Sequence, residues 1–209
     1  MQITPAKRFV TTFLCVIFLA CNGNAQNSDQ TNNIILLWPA DAHSTPAAIE
    51  GTHLPDRGDG HLRVTDINIP SLHYFPVTNS TEPTPMIILC PGGGYSYLVV
   101  SKMAEIATWL NEHGISAAVL RYRTPHQREE AFRDAQRAIR IVRSRASEWN
   151  IDPTRIGILG ASAGGHLAAR TSTGVDNASD AGLDNLNDVR CKPDFTVLLY
   201  FISSLSGAF

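Results

Sequence analysis

Residues 155–168, Arg155-Ile156-Gly157-Ile158-Leu159-Gly160-Ala161-Ser162-Ala163-Gly164-Gly165-His166-Leu167-Ala168, decide the fold. The apolar run Arg155 to Leu159 reads as a strand buried on both faces. Ala163 to Thr171 reads as a helix, and between the two lies Gly160-Ala161-Ser162-Ala163-Gly164. The pattern G-x-S-x-G is weak alone, because small residues are common. In a strand–turn–helix setting it describes a nucleophile elbow. So tight a bend requires small residues two before and two after the serine. Gly160 and Gly164 meet that condition, and Ala161 and Gly165 add clearance. The serine is then expected in a strained conformation, its hydroxyl above the sheet, beside a helix N-terminus that favours negative charge. The plainer alternative is a Gly-rich turn whose serine caps the helix.

Outward from this bend, strand and helix patterns alternate. Met86-Ile87-Ile88-Leu89-Cys90 is a continuous apolar run, followed by Met103, Ile106, Ala107 and Leu110 at helical spacing and by Gly114 as a stop. Ile115 to Leu120 is a second buried strand. Phe132, Ala135, Ile139, Val142, Ala146 and Trp149 mark a long amphipathic helix, with Arg133, Arg137, Arg140 and Arg143 on its wet side and Asn150 and Pro153 ending it. After the helix that leaves the bend, 176–190 reads as polar loop and Phe195 to Tyr200 as a fourth strand. Such alternation means βαβ units and a parallel sheet. Earlier, residues 39–60 read as an irregular lead-in, Arg63 to Pro76 alternates as one or two strands, and Asn79 to Pro85 is turn chemistry.

Pro91-Gly92-Gly93-Gly94-Tyr95 directly follows the strand Met86–Cys90. Acyl transfer needs N–H donors aimed at the developing oxyanion, each worth about 2.7–4 kcal/mol, and glycines allow the backbone that close. The amide after the nucleophile, Ala163, is one donor; Gly93 and Gly94 are the candidates for the others. A phosphate-binding glycine loop would need a following Lys-Ser/Thr or a G-x-G-x-x-G, and neither is present. Tyr95 and Tyr97 are candidates to line the acyl or alcohol pocket, or else to cover the loop. No His or Cys pairs stand at ligand spacing, so neither metal nor cofactor is expected, and Cys90 and Cys191 read as buried or partly buried free thiols.

Lys7 and Arg8 precede an apolar run from Phe9 to Ala20, too short for a comfortable membrane span of roughly 20 residues. Residues 1–25 read as a secretory signal cut before Gln26, with Cys21 as a second reading, a lipidated cysteine. Residues 26–33 read as a polar tether, and 34–209 as the folded domain. The expected location is secreted or periplasmic. A formal net charge of −2 with no basic patch excludes nucleic acid as a partner. Nothing marks the paired carboxylates that cleavage of a glycosidic bond requires. Trp38, Trp109 and Trp149 could stack sugars, although Trp109 and Trp149 read better as helix packing.

Together, 89–95, Ala118-Val119-Leu120-Arg121-Tyr122-Arg123, Asp134-Ala135-Gln136-Arg137-Ala138, 151–157 and 160–166 resemble the exported bacterial esterase/lipase branch of the α/β-hydrolases over roughly residues 34–200. That branch includes proteins similar to acetyl-xylan esterases, feruloyl-esterase-like proteins and hormone-sensitive-lipase-type carboxylesterases, some named endo-1,4-β-xylanase B. The resemblance implies an α/β-hydrolase three-layer sandwich with a mostly parallel sheet. It implies a serine ester hydrolase acting on a small-molecule or polysaccharide ester, with Ser162 as nucleophile and Gly93, Gly94 and Ala163 as oxyanion donors. In this fold the chain order is Ser, then Asp or Glu, then His. After Ser162 the sequence offers only His166, four residues on, which reads as a packing residue. The expectation is therefore a domain lacking its last strands and C-terminal helix, and with them the triad acid and histidine. Two other readings stay open: a general short-chain carboxylesterase or lipase, and a catalytically dead fragment.

Overall fold

The computed structural model describes residues 33–39, 45–175 and 185–200. The expected signal, nearly all of the tether, part of the 176–190 loop and residues 201–209 lie outside the described residues.

The apolar runs form the strands they predict. These are β1 (Ile34–Leu36), β4 (Ser71–Phe75), β5 (Thr84–Cys90), β7 (Ser116–Arg121), β8 (Ile151–Ala161) and β9 (Phe195–Leu199), in one sheet of order β1-β4-β7-β5-β8-β9. β5 pairs in parallel with both β7 and β8, and β8 with β9, whereas β1, β4 and β7 pair antiparallel. The lead-in is more ordered than its Pro- and Gly-rich composition suggests. It holds a short helix, α1 (Pro46–Glu50), and β2 (Thr52–His53), which joins β3 (Arg63–Thr65) and β6 (Leu98–Val99) in a small antiparallel sheet.

Two-residue alternation divides each continuous apolar run between two cores. Met86, Ile88, Ala118, Leu120, Ile156 and Ile158 pack under α3 (Arg128–Ser144) and α4 (Ala163–Thr173). Ile87, Leu89, Ala117, Val119, Leu159 and Ala161 pack with Met103, Ala107 and Leu110 of α2 (Val100–Glu112). Helices on both faces of a mostly parallel sheet make the expected three layers. The order reverses at β5: the chain first moves outward through α2 to β7, then returns on the other side of β5 through α3 to β8. Crevices at such a switch point, beyond the carboxyl ends of the strands, are where open α/β sheets bind ligands.

Three expectations need correction. Arg137 and Arg140 are not on a wet face; they are 2% and 1% exposed. Arg137 Nε donates to Leu37 O at 2.7 Å and Arg140 Nε to Val189 O at 3.1 Å, so chain segments flanking the sheet cover α3 and use its guanidinium groups to satisfy their carbonyls. Asp134 on the same helix is fully buried, bound by the Arg123 guanidinium and by Trp38 Nε1 at 2.8 Å. Trp149 packs inward, stacked on Tyr74 at 4.7 Å, but from the turn that follows α3, which ends at Ser144 and not at Asn150. Trp109 does not: it is 57% exposed on the outer side of α2. Cys90 and Cys191 are both buried, and they are not bonded to each other.

Candidate active site

The bend after β8 is as cramped as its composition implies. Ser162 adopts φ 53°, ψ −120°, a sparsely populated region for a residue with a side chain. It precedes the first turn of α4, but its hydroxyl makes no capping bond to that helix, so the plainer capping alternative fails. The backbone is pinned instead: Ser162 N–H donates to Leu199 O at 3.1 Å, and Ser162 O accepts from His166 N at 3.1 Å. The flanking glycines are fixed by close approach. A Cβ on Gly160 would stand 2.0 Å from Gly164 O, and one on Gly164 would stand 2.1 Å from Cys90 O.

Because β5 and β8 are neighbours, with Cys90 opposite Gly160, the loop after β5 lies against this bend. A Cβ on Gly92 would come within 3.2 Å of Ser162 Cβ. The loop turns its carbonyls inward: Gly92 O accepts from Val99 N at 3.0 Å, and Gly93 O from Ser96 N at 3.0 Å and Tyr97 N at 3.2 Å. In a trans peptide the next N–H points the opposite way, so the amides of Gly93 and Gly94 are directed away from those internal bonds. Gly93, at φ 140°, leaves no room for a side chain because Tyr97 O would sit 1.9 Å from its Cβ. Ala163, the first residue of α4, has an N–H with no intrahelical acceptor.

Both ends of the glycine run are tied to the core. Tyr122, fully buried on the α3 side, donates to Pro91 O at 2.7 Å. Tyr95 is 1% exposed and its hydroxyl meets His166 Nδ1 at 2.9 Å. Of the two tyrosines proposed from sequence, then, Tyr95 anchors the loop from beneath and only Tyr97 borders open space. His166, on α4, is engaged by Tyr95, in keeping with the packing role expected of it. Burial, with Arg170 and Arg128 nearby, holds its imidazole below the ordinary histidine range.

Ser162, Ala161, Gly92, Gly93 and Gly94 form one wall of a cavity of about 500 Å³. Its other lining includes His61, Arg63, Tyr97, Lys102, Met103 and Tyr200. His61, just after the lead-in, and Arg63, the first residue of β3, carry no sequence motif that marks them as site residues. Asp59 organises them: it pairs with the buried Arg63 guanidinium and accepts from His61 N at 3.1 Å, and the hydrogen bond from Arg63 holds its carboxyl well below the usual carboxylate range. Arg57 covers one face of Tyr97, its Cζ 5.1 Å from the ring centre. The pairing of β3 with β6, extended by hydrogen bonds between Leu62 and the start of α2, brings this segment to the site, and no local motif announces that.

Comparisons with known proteins agree with this geometry. The BD-FAE family model matches residues 73–198, from β4 to β9. The chain is 37% identical over 121 residues to an acetylxylan esterase of Xylanibacter ruminicola, a match spanning 57% of this chain and 23% of that protein. It is 30% identical over 138 residues to endo-1,4-beta-xylanase B of Butyrivibrio fibrisolvens, covering 63% of this chain and 21% of that one. The solved structure of an acetyl ester-xyloside bifunctional hydrolase from Caldicellulosiruptor lactoaceticus superposes with a TM-score of 0.64 at 37% identity, covering 83% of this chain and 58% of that one. This chain thus spans about a quarter or less of the curated relatives' length and little more than half of the solved one. On the family match, which takes in both the glycine loop and the serine bend, the chain belongs to the BD-FAE family of α/β-hydrolase esterases.

Proposed function

We propose that this chain carries the nucleophile and oxyanion site of a serine carboxylic-ester hydrolase that deacylates acetyl or similar esters of carbohydrate. The observation that carries the reading is the strained Ser162, uncapped and opening into a cavity walled by Gly92, Gly93 and Gly94. In the first step Ser162 Oγ attacks the ester carbonyl and loses its proton to a base. The carbonyl oxygen becomes an alkoxide held by the amides of Ala163, Gly93 and Gly94, the bond to the sugar oxygen breaks, and the sugar leaves as an alcohol. Water then cleaves the acyl-serine to release the carboxylic acid. The similarity to an acetylxylan esterase and an acetyl ester-xyloside hydrolase supports the carbohydrate ester as substrate.

In this fold the base is a histidine that follows the nucleophile; His166 is engaged by Tyr95 and is not assigned that role. A fluorophosphonate probe with peptide mapping tests the site, alongside p-nitrophenyl acetate hydrolysis by the parent and by Ser162→Ala. Modification confined to Ser162, with hydrolysis lost in the variant, is the expected result. Modification elsewhere only, or hydrolysis unchanged in Ser162→Ala, refutes it.

For residues 1–25 the reading remains an export signal, placing the product outside the cell or in the periplasm. The mass of the exported chain separates cleavage before Gln26 from lipid attachment at Cys21. No helix among the described residues is long and apolar enough to cross a membrane.

A further inference from the structure

Helix α2 begins at the cavity and ends well away from it. Lys102 and Met103 line the cavity, while Met103, Ala107 and Leu110 turn into the core. At 3.6 residues per turn, Lys102, Ile106, Trp109 and His113 follow one another at intervals of four, three and four, forming one continuous strip along a flank of the helix. Trp109 lies seven residues from Lys102, about 10 Å along the axis. Its indole is 57% exposed, yet it is held: the His113 ring lies 4.2 Å from it at 35°, and His113 Nδ1 is fixed 2.8 Å from Trp109 O. That leaves a braced, flat apolar surface with a polar N–H edge, the kind of amphipathic ring that suits a partner apolar on one face and wet on the other. Beside the cavity, Tyr97 and the 80% exposed Tyr200 present further aromatic surface, and Lys102, at 49% exposure, adds a hydrogen-bond donor between rim and indole.

The geometry points to this strip as a sugar-binding subsite: a pyranose of the polysaccharide stacks on Trp109 while an acylated unit of the same chain occupies the cavity beside Ser162. The inference rests on the esterase reading of that cavity. Pyranose rings offer an apolar C–H face to aromatic rings and a hydroxyl rim to donors, and the distance from Trp109 to the rim suits a short oligosaccharide better than one small ester. It therefore assigns the alcohol side of the substrate to a polymer.

Native affinity electrophoresis through gels containing soluble acetylated xylan tests this. Using the full chain with Ser162→Ala excludes turnover during the run. The expected result is retardation that Trp109→Ala weakens by about tenfold or more, as for a central aromatic contact, and that Trp109→Phe largely retains. Trp109 is a surface residue, so folding is not at stake, and Trp109→Ala in an otherwise unaltered chain should be modified at Ser162 by the fluorophosphonate at the parental rate. Absence of retardation, equal retardation of Trp109→Ala, or equal retardation by dextran overturns the subsite. Failure of the parent chain to be modified at Ser162 overturns the esterase reading instead, and leaves the polysaccharide measurement to stand or fall separately.

Discussion

Replacing Gly164 by Ala is the sharpest test of how the serine bend and the glycine loop are joined. The added Cβ would stand 2.1 Å from Cys90 O and 2.5 Å from Pro91 O. Both obstacles are backbone, one at the end of the central strand β5 and the other in a carbonyl already bound by Tyr122. Neither can turn aside as a flexible side chain could. Relief therefore requires α4 to withdraw from β5 by more than 1 Å, because an ordinary contact lies at 3.4–4 Å. Overpacking a close contact of this kind costs about 1–3 kcal/mol. The same withdrawal carries Ser162 and Ala163 away from Gly93 and Gly94, and a misplacement of about 1 Å in a reacting site can cost about 100-fold in rate. Urea denaturation gives the first quantity, as a lowered midpoint at unchanged slope. The second-order rate of fluorophosphonate modification at Ser162 gives the second. An unchanged midpoint together with a parental rate would show that the bend and the loop are not in contact as described.

Two further outcomes follow from groups around the site and at the sheet's antiparallel end. His73 on β4 is held at about 4, below the ordinary histidine value of about 6.5, chiefly by burial and also by the Arg121 charge, with Glu50 opposing, and its Nε2 has no partner among the described residues. The unfolded chain therefore takes up a proton near pH 6.5 that the folded chain refuses until about pH 4. The stability gained from the neutral ring is complete above pH 6.5 and falls by up to about 3 kcal/mol down to pH 4. Urea midpoints across that window should drop less steeply in His73→Gln than in the parent, and parallel curves would refute the assignment. Tyr95→Phe removes the hydroxyl that meets His166 at 2.9 Å. It should destabilise the fold by about 1 kcal/mol and slow modification of Ser162, whereas Tyr97→Phe should leave the urea midpoint unchanged. Equal midpoints for the two variants would deny Tyr95 its anchoring role.

The sequence alone settled what short-range rules govern. Four apolar runs with helical patterns between them gave the parallel part of the sheet and both helical layers, because a strand buried on both faces needs no partner to be recognised. Gly160, Ser162 and Gly164 were legible for the same reason: a bend that tight admits few residue types, and the constraint acts within five positions. The glycine run after β5 was legible from its place behind a buried strand. Tertiary structure decided whatever depended on long-range covering. Arg137 and Arg140 follow the spacing of a wet face, yet they are buried because distant segments bring carbonyls to them. Trp109 has the composition of a core residue but sits on a flank that no other element covers among the described residues. His61 and Arg63 reach the cavity through the pairing of β3 with β6 and the bonds of Leu62 to α2, contacts between segments more than thirty residues apart that no local pattern encodes. Periodicity reports which face a residue shares with its neighbours along the chain. What comes to rest on that face is fixed only when the chain closes on itself.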